Sequence, residues 1–283
     1  GYAAGVAAAM AAANDCPVRA IDVRALQEHL VSVGNLPEKV LNQGDSFPIP
    51  EDQVRAAVIS VGDQFKGLET VLCRWDIAHP WVVEAYRNET DADRRLHYAH
   101  LLAVQDDPIG YETLAAAIQA GEWDAGWRYT GMGQFGMSMS RMDSLLVGLG
   151  KTGRPEAIPI IAQKAGKLEP DHEFSHFRAI AMACEAIKDV RAAECLESLL
   201  QLPGVQGHSY PNLQAALANN PTSSTDTSTR NNSLREIVLA RALFRCGDPQ
   251  KLGLEILEEY ARDMRGYYAR HAQAVLQEAG VDQ

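Results

Sequence analysis

The sequence predicts an all-α protein, most of it a stack of paired helices, preceded by one helix of a different kind. Three observations predict this. Beyond residue 92, apolar residues recur at helical spacing in paired runs. A short turn of Asp, Gly or Pro separates the members of each pair, at 108, 155, about 190 and 249. The opening run Gly1-Tyr2-Ala3-Ala4-Gly5-Val6 continues into Ala7-Ala8-Ala9-Met10-Ala11-Ala12-Ala13, which is small on every face. A helix at a globular surface carries a polar face and a larger apolar stripe, and this one carries neither. Small residues all round suit a helix enclosed by other backbone, so the segment reads as the end of another domain.

The elements follow in order. Asp22 is a good N-cap for a helix over Val23–Val33, and Gly34 is a natural residue for its C-terminal stop. Pro37, Gly44, Pro48 and Pro50 make 35–50 a linker of turn-formers and the expected domain boundary. Val54–Val61 and Val71–Trp75 are compatible with strand or helix, and helix is preferred.

Four helix pairs are then expected: Leu96–Val104 with Tyr111–Ile118, Ser144–Leu149 with Ala157–Ala165, Phe177–Ile187 with Ala192–Leu200, and Leu234–Phe244 with Leu252–Tyr260. A last helix, Tyr267–Gln277, caps the stack. Proline in the first turn of a second helix is favoured because its missing N–H would be unpaired there. The turn intervals bracket the roughly 40–47 residues of HEAT-like repeats, so the expected architecture is a HEAT-like α-solenoid. Residues 203–232 form an excursion from the stack, and 219–232 is the segment expected to be disordered. The domain reading is therefore 1–34, 35–92 as linker and irregular or helical connection, and 93–283 as helical repeats.

Composition excludes some partners. A net charge of −11 over 283 residues argues against nucleic acid and anionic membranes, which need a basic field. The five cysteines, Cys16, Cys73, Cys184, Cys195 and Cys246, form no CxxC pair and no disulfide framework. Cys184 and Cys195 lie among apolar helical residues, where a thiol acts as a small hydrophobe.

Several motifs could carry chemistry. His172-Glu173-Phe174-Ser175-His176 is a literal HExxH, the pattern of zinc peptidases, which makes a zinc hydrolase the third functional class considered. Pro170-Asp171 upstream makes Asp171 the expected N-cap, which leaves His172 at the first helical position. The positions where metzincins continue with Gly and His hold Ala179 and Met182, so packing and capping is the preferred reading and no metal site is assigned. His97 and His100 share a helical face one turn after Asp93, and lack a third ligand. Asp76, His79 and Trp81 surround Pro80 in a turn-like cluster. Trp123 to Gly136 is the densest aromatic and glycine stretch, expected to be an ordered loop, and Met132, Met137, Met139 and Met142 around it are expected to fill core gaps.

The opening segment resembles the last flavin-contacting helix of FAD-dependent oxidoreductases with a Rossmann-type FAD domain. The residues that carry the likeness are Gly-x-Ala-Ala-Gly, the Ala-rich helix, Pro17-Val18-Arg19, Asp22-Val23 and Leu26-Gln27. Trp123-Asp124-x-Gly126-Trp127, Gly131-Met132-Gly133-Gln134-Phe135-Gly136, Ser175-His176-Phe177-Arg178-Ala179 and Pro203-Gly204-Val205-x-Gly207-His208 extend it to the helical C-terminal region of certain bacterial members. The resemblance implies that Gly1, Tyr2, Ala3, Ala4 and Gly5 face FAD in an intact parent, with 1–34 closing an FAD-binding domain that lies N-terminal to this chain. Helix N–H groups and the positive dipole end favour anionic or carbonyl oxygens there. The Gly-x-Gly-x-x-Gly dinucleotide fingerprint of a strand–turn–helix is absent, since no expected strand precedes a Gly-rich phosphate loop, so FAD is not expected on this chain alone, and no catalytic residue is assigned. The helical region is expected to serve as scaffold, flanking a small-molecule substrate or docking a protein partner. The competing class is a stand-alone helical-repeat interaction module.

Overall fold

The structure is a computed structural model that describes residues 1–44, 47–126, 139–219 and 227–280. All regular structure among them is helical, as the sequence predicts. They fall into two compact units, Gly1–Glu51 and Asp52–Gln283.

The first unit holds α1 (Tyr2–Ala13) and α2 (Val23–Ser32), with 3-10 turns at Val18–Ala20 and Glu38–Asn42. Alanine is the strongest helix former, which suffices for α1 without a side-chain cap. Only Ala7 and Ala11, one turn apart, are buried. The Asp22 carboxylate accepts the Ala25 N–H at 3.0 Å and starts α2, and Gly34, at φ +73°, follows its end. Arg24 ties α2 to the second turn through the Leu41 carbonyl.

The second unit begins with α3 (Glu51–Val61), α4 (Leu68–Cys73) and α5 (Trp75–Asn88). Val54, Ala57, Val58 and Val61 put one apolar stripe of α3 into the core. Residues 76–81 are helical within α5, with Pro80 inside it, which corrects the turn-like reading of Asp76, His79 and Trp81. The pairs follow as α6 (Ala92–Val104) with α7 (Tyr111–Ala120), α8 (Arg141–Lys151) with α9 (Ile158–Ala165), and α10 (Phe174–Ile187) with α11 (Ala193–Leu200). A short α12 (Leu213–Ala218) precedes α13 (Ser228–Arg245) with α14 (Leu252–Tyr260), and α15 (Gly266–Glu278) is the last helix among the described residues. The first helices pack on one another in chain order, α6 on α8, α8 on α10 and α10 on α13. Asn219 ends α12, Thr227 caps α13 and 228–232 lie within α13, against the expected disorder; 220–226 lie outside the described residues.

One local device makes each within-pair turn. A residue in the left-handed region, Asp106, Gly153, Lys188 or Gly247, breaks the first helix. In three pairs an aspartate follows and takes an N–H of the incoming turn or helix: Asp107 from Ile109, Asp189 from Arg191, and Asp248 from Gly253 and Leu254. Pro108 and Pro155 then occupy first-turn positions.

The excursion after α11 is bound by a buried polar network. The Glu236 carboxylate accepts the N–H groups of Gly207 (2.7 Å) and His208 (2.9 Å) and the Tyr260 hydroxyl (2.7 Å). Burial and that carboxylate push the Tyr260 phenol well above its usual range. The Arg265 guanidinium lies between the rings of Tyr210 and Tyr268, pairs with Asp263 and donates to the His208 carbonyl at 2.7 Å.

Close approach fixes the position of α8. A Cβ at Gly148 would sit 2.8 Å from the His100 ring on α6, and one at Gly150 would run into the Ala183 backbone on α10. Gly150→Ala should therefore lower unfolding stability by about 1–3 kcal/mol. Gly166→Ala, where the nearest atom would be 3.5 Å away, should change it by less than about 0.5 kcal/mol. Chemical denaturation of the two variants against the parent chain measures the difference.

Candidate functional site

In the first unit, the five residues that the resemblance assigns to a cofactor form the N-cap and first turn of α1. Gly1, Tyr2, Ala4 and Gly5 are exposed and Ala3 is half-buried. The Gly5 N–H bonds the Gly1 carbonyl at 3.0 Å, and the Tyr2 hydroxyl lies 3.0 Å from His29 Nε2. A Cβ at Gly1 or Gly5 would meet no atom within 4 Å, so packing here requires neither glycine.

The HExxH residues are separated. Helix α10 starts at Phe174 with Glu173 as its N-cap, so Asp171 is not the cap and His172 is not helical. His172 Nδ1 accepts the Glu169 N–H at 3.2 Å, in an exposed turn beside Asp171. His176 is buried and bonds Asp143 Oδ1 through Nδ1 at 2.6 Å. Two histidines on one helical face, which the zinc-peptidase pattern needs, are not formed.

Asp143 and His176 instead centre a buried polar core. Ser140 and Asp143 form a capping box at the start of α8: the Ser140 N–H reaches Asp143 Oδ2 at 2.8 Å, and the Asp143 N–H reaches Ser140 Oγ at 3.1 Å. Trp123 lies over the His176 ring at 4.4 Å and donates its indole N–H to the Lys164 carbonyl at 3.3 Å. The buried Lys164 ammonium bonds the Gly121 carbonyl, and burial, reinforced by nearby Lys167, lowers its pKa. Asp124 accepts the N–H groups of Arg141 (3.1 Å) and Met142 (2.9 Å). The sequence stretch flagged around Trp123 is thus held by its first residues; 127–138, including Met132 and Met137, lie outside the described residues.

Burial would raise the Asp143 carboxyl, but hydrogen bonds from His176 and the Ser140 N–H outweigh it and hold the pKa below the usual carboxylate range. An ionised Asp143 requires His176 Nδ1 to be the donor. The buried Ser175 hydroxyl close by lowers the Asp143 pKa further.

Next to this core, His97 and His100 meet over one ring. Phe65 lies edge-on to both, at 4.8 and 5.7 Å. It sits in the turn between α3 and α4, where Gln64 and Phe65 are both left-handed, at φ +57° and +60°. That conformation costs about 1–2 kcal/mol per residue without glycine. Three residues of α6 hold the turn and the end of α3: Arg94 pairs with Asp63, His97 Nδ1 bonds the Gly62 carbonyl (2.8 Å), and Tyr98 donates to the Val58 carbonyl of α3 (3.0 Å). His100 Nε2 meets Ser144 Oγ at 3.2 Å, and burial keeps its pKa low, hence a neutral ring near pH 7.

Three cavities converge on Arg141. One of about 310 Å³ includes Phe65, His97, His100, Ser144 and Leu145 in its wall. A second, about 610 Å³, adds Asp63, Gln64 and Lys66 and shares His97 with the first. The third, about 750 Å³, runs along α7 past Leu96, Ala117 and Leu145. Sequence reasoning picked out His97, His100 and Asp93, which the fold brings to this groove. It missed Arg141 and Phe65, whose only local signals were the Ser140-x-x-Asp143 cap and the turn after Gly62. Comparison of the chain with protein-family models, with curated proteins and with solved structures finds no match.

Removing either partner of the buried pair leaves the other unsatisfied. His176→Ala and Asp143→Ala should each cost about 3–5 kcal/mol. Because the folded-state pKa of Asp143 is depressed, its contribution is complete above the unfolded-state value and disappears as pH falls through the folded one. Asp143→Asn should therefore flatten the acid limb of the stability–pH curve, measured by denaturant titration from neutral to acid pH, while the parent loses stability there.

Proposed function

We propose that this chain is the helical region of an FAD-dependent oxidoreductase, not catalytic alone, in which Gly1 to Gly5 approach the flavin and the helix pairs form the scaffold on the substrate or partner side. The observation that carries the reading is α1 itself. Its first turn exposes Gly1 and Gly5 with nothing packed against either. Within a helix glycine is a poorer former than alanine, by up to about 1 kcal/mol, so Gly5 is disfavoured locally, and close approach of a ligand or another backbone is a reason to keep it. The unpaired N–H groups and positive dipole end of α1 suit flavin oxygens.

We read the helix pairs as HEAT-like. The recurring left-handed residue and aspartate cap, the two first-turn prolines and the chain-order packing of first helices support that reading. The same features also favour the second reading, a helical-repeat interaction module that holds no cofactor.

The test is the visible absorbance of flavin in the intact natural protein that carries this sequence. The flavoprotein reading expects bound FAD there, little or none on the 283-residue chain alone, and at least about a tenfold weaker retention in the intact Gly5→Leu variant, whose bulk obstructs close approach. Circular dichroism of the 283-residue Gly5→Leu chain should match the parent. An intact protein without flavin, or equal retention by Gly5→Leu, overturns the flavoprotein reading and leaves the interaction module.

A further inference from the structure

The groove between the α3–α4 turn, α6 and the start of α8 has the composition of a ligand site, whatever cofactor the protein uses. Its inner part, about 310 Å³, is at the small end of the size range of small-molecule sites and has Phe65, Leu96, Leu145 and Met139 as apolar surface. Its polar groups come from the elements that meet there: Lys66 from the turn, His97 and His100 from α6, and Ser140, Arg141 and Ser144 from the start of α8. Two consecutive residues of the turn are held in the left-handed region, and the second places its ring on both histidines. Backbone strain held by its surroundings in this way concentrates at ligand-binding positions.

The charges decide what kind of ligand fits. Asp63 is already paired with Arg94. Among the described residues the Arg141 guanidinium reaches only Asp93, at 3.4 Å, with both side chains mostly exposed, which leaves most of its N–H donors without a partner there. The α8 N–H groups beside it are taken by Asp124 and Ser140, which leaves the guanidinium, not the helix end, to meet an anion. His97 uses Nδ1 on the Gly62 carbonyl, which leaves Nε2 as the nitrogen able to meet a ligand. A planar guanidinium matches a carboxylate in two parallel hydrogen bonds. Asp63 and Asp93 beside it disfavour a dianion such as phosphate.

We propose that this groove binds a small organic monocarboxylate, its acid group held by Arg141 with Lys66 nearby and its apolar body against Phe65, Leu96 and Leu145. The assignment rests on the groove alone and is independent of the flavin reading. Benzoate is the probe, with benzamide as its neutral counterpart and inorganic phosphate as the competing anion. Each is titrated into the full 283-residue chain while the ring-proton signals of His97 and His100 are followed by NMR.

Benzoate should shift both histidines saturably, benzamide should bind at least about tenfold more weakly, and phosphate should not displace benzoate. Arg141→Gln should weaken benzoate by at least about tenfold. Lys66→Gln, at an exposed position, should weaken it by a smaller factor and keeps the test open if Arg141→Gln disturbs the start of α8. Arg191→Gln, paired with Asp189 elsewhere, should change nothing. Absence of saturable shifts, equal binding of benzamide, displacement by phosphate, or unchanged affinity in both Arg141→Gln and Lys66→Gln would overturn the proposal.

Discussion

A buried carboxylate sets the terms for the middle of this molecule. Asp143 is fully enclosed, and an enclosed carboxylate without partners would be several kcal/mol out of balance. Its partners come from two directions: Ser140 at the start of its own helix, and His176 near the start of α10. Satisfying Asp143 therefore fixes where α8 begins and how α10 lies against it. Trp123 extends the constraint, since its ring covers His176 while its N–H reaches the end of α9. One ionised group thus ties three helices and the segment after α7 into a single arrangement.

The groove inherits its geometry from that arrangement. Arg141 is the first residue of α8, one position past Ser140, so the cap that serves Asp143 also aims the guanidinium at the cavities. Gly148 and Gly150 act on the same helix farther along. They let α6 and α10 approach closer than any side chain would permit, which brings His100 within reach of Ser144. The opposite wall is strained where the α8 side is relaxed. Gln64 and Phe65 hold their left-handed conformation because Arg94 and His97 fasten the turn to α6 while Tyr98 fastens the end of α3. The cost of the turn is met by ion pairing and hydrogen bonding at its edges, and Phe65 is thereby presented to both histidines.

Much of the fold was legible because its signals are local. Asp22 capping α2, Gly34 ending it, and the Asp-Pro and Arg-Pro turns within pairs involve residues a few positions apart, so the sequence displays them directly. The helical stripe that carries His97 and His100 was legible for the same reason. HExxH shows the opposite case. Its spacing satisfied a helical template, but the turn at Glu169–His172 competes for the backbone and starts α10 two residues later, which separates the histidines. The partner that captured His176 is thirty-three positions away, and nothing in the pattern of either helix links them. Likewise the ring of Phe65 reaches His97 only through two left-handed residues that no glycine or asparagine announced.

The opening helix and the groove pose separate physical questions. Alanine content alone explains why α1 forms, and burial of Ala7 and Ala11 explains how it holds to its unit. Neither explains Gly5, because a Cβ there would meet nothing and alanine would be the better helix former. Stability therefore does not account for that glycine, and something approaching the first turn of α1 would. The groove is the reverse case, since Phe65 in its left-handed turn is tolerated only because neighbouring side chains hold it. A residue that stability would replace and a conformation that stability would relax are both departures from local preference, and such departures are where a fold gives up free energy for contact with something else.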